Sequence, residues 1–208
     1  MSRIVLATRN AGKIRELETI LRASLPDVEV VGLGEFPDLE DVVESGVTFE
    51  ANATLKASYA ARMTNLPAVA DDSGLAVEVL GGSPGIFSAR WSGLHQGEDL
   101  SRGEKDRRNL QLLLDQLADV PDEHRRAAFR CAAVLALPDG TTVCREGDFP
   151  GTLTREPRGT NGFGYDPILQ VEGRTRTAAE LSAEDKNAIS HRGKAFRALA
   201  PEIARLLA

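Results

Sequence analysis

The sequence predicts an α/β protein: a mixed central β-sheet flanked by helices, in two lobes with an active-site cleft between them. Three observations carry this. Short apolar runs alternate along the chain with segments whose apolar residues recur at helical spacing. A Pro138-Asp139-Gly140 turn joins two long strand-like runs in the second half. The chain has 208 residues, 42% of them hydrophobic, which is enough for one large core or two closely joined lobes. A single domain over 1–208 is therefore expected, with no repeat or low-complexity tract.

Ile4-Val5-Leu6-Ala7-Thr8 is an apolar run ending in a polar loop, after which Ile14, Leu17, Ile20 and Leu21 recur at helical spacing. This predicts strand, loop and helix from the first residues. Val28 to Leu33 reads as a second strand, followed by an acidic loop through Gly46. Thr48 is placed to cap a helix running to about Met63. After a break at Leu66-Pro67, Ala68 to Ala70 and Leu75 to Leu80 read as strands on either side of a polar insertion, Asp71-Asp72-Ser73-Gly74. Gly81 to Gly85 reads as loop. Leu110, Leu113, Leu114 and Leu117 mark the buried stripe of a helix from about Glu104 to Leu117. Arg126 to Leu137 and Thr141 to Phe149 form the hairpin, Ile168 to Val171 a short strand, and helices follow from about Ala183. Pro201 is expected to break or kink the last of them.

Composition excludes several functions. The formal net charge is −6, so broad nucleic-acid binding, which needs a phosphate-neutralising basic face, is not expected. A polyphosphate substrate would need a local basic pocket on an acidic body. No run of about 18 apolar residues exists to span a bilayer, and Met1–Ala11 lacks the pattern of an export signal; the expected location is cytoplasmic. Cys131 and Cys144 flank the hairpin turn among strand-forming neighbours and read as reduced packing residues. His95, His124 and His191 are too scattered for a histidine metal site.

Four segments could carry chemistry. Thr8-Arg9-Asn10-Ala11-Gly12-Lys13 lies between the first strand and helix, where free N–H groups and the helix dipole favour an anion. It is not a Walker A loop, because Ala7 stands where that motif needs glycine; a surface turn with a solvated lysine would look the same. In Ala70-Asp71-Asp72-Ser73-Gly74, successive side chains point to opposite faces of a strand, so the two carboxylates should do different jobs. Mg²⁺ needs only one or two carboxylates beside waters and substrate oxygens, but a solvated turn fits this segment equally well. Gly159 to Pro167 sets Phe163 among glycines, giving either a face for base stacking or a tight turn burying Phe163 and Tyr165. In Lys186 to Arg192, Lys186, Ser190 and His191 share one helical face at i, i+4 spacing and Arg192 extends the donor set. A solvated helix face is the alternative.

Together these segments resemble the Ham1-type inosine triphosphate pyrophosphatase family, which removes non-standard purine nucleotides. The matching pieces are the 8–13 segment, Thr48-Phe49 with Asn52 and Lys56, Ala70 to Leu75, Pro84-Gly85 with Ser88-Ala89-Arg90, Gly162 to Pro167, and Lys186 through Ser190-His191-Arg192. They occur in family order over nearly the whole chain. The resemblance implies Mg²⁺-dependent hydrolysis of ITP, dITP and XTP to monophosphate and pyrophosphate, in a homodimer. It implies that Asp72 binds the metal and serves as general base, with Glu44 as second ligand among the acids Glu40, Asp41 and Glu44. Lys13, Lys56 and the backbone of Arg9, Ala11 and Gly12 after Thr8 would hold the phosphates, with Asn10 and Ser73 adding hydrogen bonds. Phe163 would stack on the base beside Gly164 and Tyr165, while Asp166, Lys186, His191 and Arg192 would line the sugar and base edge. Donors facing a 6-keto group favour hypoxanthine and xanthine over adenine.

Two rival functions remain at this level: a non-catalytic nucleotide sensor, and a pyrophosphatase for pyrimidine or modified nucleotides. No His-Glu-x-x-His helix points to another hydrolase.

Overall fold

The computed structural model describes residues 3–22, 25–93 and 99–207, apart from the side-chain surroundings at 11, 12 and 16. His95 lies outside the described residues. In chain order the elements are β1 (Arg3–Leu6), α1 (Ala11–Arg22), β2 (Glu29–Gly32), α2 (Phe49–Thr64), β3 (Ala68–Val77), α3 (Arg102–Gln116), β4 (Arg126–Ala136), β5 (Thr142–Leu153), β6 (Leu169–Val171), α4 (Ala183–Ile189) and α5 (His191–Leu207), with short 3₁₀ turns between. The strands hydrogen-bond in the order β2-β1-β3-β4-β5-β6. The sheet is mixed, as expected: β1 runs parallel to β2 and β3, and β5 antiparallel to β6.

By its internal contacts the chain divides into two compact units. The first comprises Met1–Asp72, Cys131–Gly147 and His191–Ala208; the second comprises Ser73–Arg130 and Asp148–Ser190. The strands β3, β4 and β5 each contribute residues to both.

In the first unit β1 is buried on both faces. Ile4 and Leu6 join Leu17 and Leu21 of α1 and Phe196, Leu199 and Ile203 of α5 in one apolar cluster. Val5, pointing the other way, meets Ala53, Ala57, Ala60 and Ala61 of α2 in another. A strand covered on both faces must be continuously apolar, which is why Ile4-Val5-Leu6 shows no alternation. The alanines recur at helical spacing on one face of α2 and let the helix axis come close to the strands. Thr48 caps α2, its side chain accepting from the Ala51 N–H at 3.1 Å.

The second unit has its own core, built around Leu75, Leu110, Leu113, Leu117, Phe149 and Ile168. Phe129 and Phe149 lie 6.5 Å apart, ring to ring. Ser101 and Glu104 form a reciprocal capping box at the start of α3, which adds two hydrogen bonds to otherwise unpaired N–H groups. Arg125, buried, donates to the carbonyls of Leu117, Leu153 and Thr154.

Two expectations are corrected. The sequence suggested two strands around a polar insertion, but Ala68–Val77 is one strand of 10 residues, and Glu78–Leu80 forms a 3₁₀ turn. A strand requires paired backbone groups, not apolar side chains, and the polar residues are tolerated because Asp71 and Asp72 each meet cations. Pro201 does not break the last helix, which continues to Leu207 with Pro201 inside it. Its ring lies on the exposed side, while Phe196, Leu199 and Ile203 hold the opposite face in the core. Among the described residues no helix is long and apolar enough to cross a membrane. Both cysteines are free thiols, Cys131 within the core cluster and Cys144 half-buried.

Candidate active site

In the first unit, β1 delivers the chain into the turn before α1. Thr8 Oγ1 accepts from the Asn10 N–H at 3.2 Å, and Asn10 Oδ1 accepts from the Lys13 N–H at 3.4 Å. The two short side chains thus shape a helix entry whose first N–H groups, including those of Ala11 and Gly12, open the helix. Arg9 does something the sequence did not suggest. Its guanidinium donates to the carbonyls of Leu33 and Leu39, at 3.4 and 2.9 Å, and approaches Asp41 at 3.7 Å. It fastens the acidic loop and also lines the cavity formed there.

Asp71 and Asp72 point to different surroundings, as strand alternation predicts. The Asp71 side chain is only 2% exposed. Lys13 Nζ lies 2.9 and 2.8 Å from its two oxygens, and Arg192 Nε donates to Oδ2 at 3.1 Å. Burial alone would raise the Asp71 carboxyl, but Lys13 and then Arg192 overcome it and hold the group well below the usual carboxylate range.

Asp72 faces a different set. Its Oδ2 accepts from Asn52 Nδ2 at 3.1 Å, and its Oδ1 lies 3.4 Å from Lys56 Nζ. The same Nζ donates to Glu44 Oε1 at 2.8 Å. Burial pushes the Asp72 carboxyl up, Lys56 pulls it down and Glu44 pushes it up again, leaving it above its ordinary value. Burial opposes the Lys56 charge, but Asp72 and Glu44 outweigh it and raise the ammonium's pKa. Of the three acids in the 40–44 stretch, Glu44 is the one whose carboxylate meets Lys56 together with Asp72.

Asn52, whose position the sequence matched without giving it a role, joins these parts. It is fully buried, and its Oδ1 accepts from the Gly46 N–H at 2.8 Å while its Nδ2 holds Asp72. A Cβ at position 46 would stand 2.7 Å from that oxygen, so a glycine is needed for the acidic loop to reach Asn52. A cavity of about 470 Å³ in this unit is lined by Thr8, Asn10, Lys13, Glu44, Lys56 and Asp71, among others. It gathers the helix entry, the acidic loop, α2 and β3 around one space.

The second unit carries the aromatic group. Phe163 is 52% exposed. Its backbone N–H donates to Asp166 Oδ2 at 2.8 Å, and Lys186 Nζ meets the same oxygen at 2.5 Å. Asp166 is buried, so one carboxylate orders both the aromatic loop and the lysine. Gly162 adopts φ +78°, and a Cβ there would fall 2.0 Å from Asp166 Oδ2. The Gly164 N–H donates to Asp106 of α3 at 3.1 Å. Arg102, also on α3, sets its guanidinium carbon 4.8 Å from the Phe163 ring centroid. Neither α3 residue was signalled by the sequence.

Three sequence expectations change here. Tyr165 is not a ligand-facing ring: it is 4% exposed, packs in the second unit's core and donates its hydroxyl to the Ser88 carbonyl at 2.9 Å. Lys186 and His191 do not share a helix face. Helix α4 ends at Ile189, Ser190 has extended backbone, and His191 begins α5. Arg192 is engaged by Asp71 in the first unit, whereas Lys186 is held by Asp166 in the second. The i, i+4 spacing was read across a break that Ser190 makes. Ser73 is half-buried in β3 directly after Asp72, and His191 is half-buried at the start of α5.

A helix entry, two lysines and a pair of acids around one cavity define an α/β protein with a site equipped for anions and cations together. The Ham1 family profile matches residues 4–202, and the chain belongs to that family. It is 62% identical to a protein of Streptomyces avermitilis named dITP/XTP pyrophosphatase, over the full length of both chains. It is 51% identical to one of the same name from Escherichia coli O157:H7, covering 96% of each. Among solved structures, a HAM1 protein from Coxiella burnetii matches with a TM-score of 0.87 at 40% identity, over 99% of this chain and 100% of that one. A nucleoside-triphosphatase / dITP/XTP pyrophosphatase from Mycobacterium abscessus matches at 0.77 and 48% identity, over 96% of this chain and 99% of that one.

Proposed function

We propose that this chain hydrolyses non-standard purine nucleoside triphosphates, namely dITP, ITP and XTP, to the monophosphate and pyrophosphate, clearing them from the nucleotide pool of the cytoplasm. Full-length similarity to proteins named for dITP and XTP supports the substrate class. The observation that carries the chemistry is the convergence of Asp72 and Glu44 on one ammonium, Lys56 Nζ, at 3.4 and 2.8 Å beside the cavity.

The donor set fits Mg²⁺. Among the described residues no group of three or more His, Cys, Asp or Glu side chains is arranged for a metal, but this ion prefers one or two carboxylates with waters and substrate oxygens. Two acids sharing a point of positive charge supply that, and Asp72 and Glu44 are the residues that would hold it. When bound, the ion would neutralise triphosphate charge.

The chain's own groups supply the rest. The first-turn N–H groups of α1 and the Lys13 charge attract phosphate oxygens, and Lys56 offers donors beside the acids. Lys13 is shared with Asp71, which fixes its position. Asp72 takes the proton of the attacking water on a carboxylate oxygen, and its raised pKa brings it nearer to neutrality, where a general base works best. Asn52 holds that carboxylate in place. In the second unit Phe163 presents an exposed ring for the base, ordered by Asp166. The family resemblance further implies a homodimer, which light scattering would check.

Pyrophosphate release from a panel of triphosphates, with Mg²⁺ and with chelator, tests the proposal. dITP, ITP and XTP should lead, and chelator should stop turnover. Asp72→Asn should remove turnover while leaving the fold and much of the nucleotide affinity intact. UTP or TTP outrunning ITP, or an active Asp72→Asn variant, would overturn it.

A further inference from the structure

The second unit holds a cation that the proposed base site has not yet used. Arg102 opens α3, is exposed, and places its guanidinium carbon 4.8 Å from the Phe163 ring centroid. No carboxylate among the described residues pairs with it. Lys186 Nζ lies 5.4 Å from the same centroid, but Asp166 offsets its charge at 2.5 Å. The uncompensated positive charge over this ring is therefore that of Arg102.

We propose that Arg102 is a specificity-determining residue of the base site, keeping its guanidinium against the base that stacks on Phe163 and favouring xanthine over hypoxanthine. This rests on the assignment of Phe163 as the base platform.

The geometry sets what must happen. A base needs about 3.5 Å to its neighbour on each face, so it cannot enter between ring and guanidinium while they stand 4.8 Å apart. Arg102 must yield by about 2 Å or slide to the base edge, which a long exposed side chain does at small cost. Its backbone stays in place, because Asp106, one turn further along α3, accepts the Gly164 N–H at 3.1 Å and ties the helix to the platform loop. The displaced guanidinium then rests on the outer face or edge of the base, where cation–π attraction and N–H donors both act.

Hypoxanthine and xanthine differ in what they offer that cation. Xanthine carries a second ring carbonyl where hypoxanthine has C–H, adding an acceptor and making a ring N–H acidic enough to ionise in part near neutrality. An electron-rich or anionic ring gains from an unpaired guanidinium in a way that neutral hypoxanthine does not. Asp166 and Lys186 cannot produce this bias, because their charges cancel.

The test compares wild type, Arg102→Gln and Arg102→Lys. We would measure kcat/KM for XTP and ITP with Mg²⁺, and calorimetric affinities for XMP and IMP. Arg102→Gln should lower the XTP:ITP ratio about three- to tenfold, the range a lost cation–π contact covers, mainly through KM. XMP should lose more affinity than IMP, and Arg102→Lys should recover part of the ratio. If Arg102 only props Phe163, both substrates weaken together, and an unchanged ratio overturns the inference while the hydrolase reading stands. If wild type cleaves neither triphosphate, the hydrolase reading falls. The XMP:IMP affinity ratio then decides alone, with no change on Arg102→Gln counting against the inference.

Discussion

Asp71 and Asp72 are neighbours in β3 with the same side chain, and their surroundings divide them. Asp71, 2% exposed, satisfies two cations, Lys13 and Arg192; Asp72 shares with Glu44 the ammonium of Lys56. Removing the Asp71 charge would leave Lys13 and Arg192 part-buried beside a neutral amide. Breaking such a pair from one side typically costs about 3–5 kcal/mol. Asp71→Asn should therefore lower the denaturant midpoint strongly and Asp72→Asn only slightly, the reverse of their order on catalysis. Equal midpoints would show that the Asp71 ion pairs contribute little to stability. Phe163 poses a simpler question, since its ring is half exposed where a core residue would be covered. If it is the base platform, Phe163→Ala should cost about 1–3 kcal/mol of nucleotide binding, the scale of base–aromatic stacking, read as a raised KM with stability nearly unchanged. An unaltered KM would make the ring a packing residue.

At the scale of elements, the Gly162–Asp166 turn and its lysine form one assembly. Asp166 Oδ2 receives the Phe163 N–H and the Lys186 ammonium, and a Cβ at 162 would occupy that oxygen's place. Gly162→Ala should disrupt both contacts and also strain a left-handed backbone position, raising KM at least as far as Phe163→Ala. A normal KM in Gly162→Ala would show that the loop has room to move. This assembly also marks where sequence reading stops. The β1 turn α1 entry, the Thr48 cap and the hairpin were legible because each is signalled by residues a few positions apart. β3 looks divided in the sequence because its polar side chains hide a backbone that remains paired, and the cations that compensate them, Lys13 and Arg192 for Asp71 and Lys56 for Asp72, lie elsewhere in the chain. The hold of the Arg9 side chain on the carbonyls of Leu33 and Leu39 is not legible, because the position of a long side chain shows in sequence but its direction does not. Ser190 was read through because serine is tolerated within helices as well as at their ends. Arg102 and Asp106 could not be found at all, since their meeting with Phe163 and Gly164 depends on tertiary packing within the second unit.

At the scale of the molecule, the phosphate end of the proposed site depends on the last helix of the chain. The first unit is assembled from three stretches of sequence, and its larger core joins Ile4 and Leu6 of β1 to Leu135 of β4 and to Phe196, Leu199 and Ile203 of α5. The turn holding Thr8 to Lys13 leaves directly from that buried strand, and Arg192 on the same α5 reaches Asp71. Packing along α5 therefore sets both the position of β1 and the ion pair beneath the cavity. Phe196 is fully buried. Phe196→Ala should cost about 3–5 kcal/mol, a large share of the roughly 5–15 kcal/mol that usually holds a domain together. Phe196→Leu, which refills much of the volume, should recover a good part of the loss. The measurements are denaturant midpoints of the two variants and turnover at rising temperature, with the alanine variant losing activity first. A Phe196→Ala protein as stable as wild type would mean that α5 is a passenger on the sheet, and that the site in the first unit is held by the other two stretches, Met1–Asp72 and Cys131–Gly147.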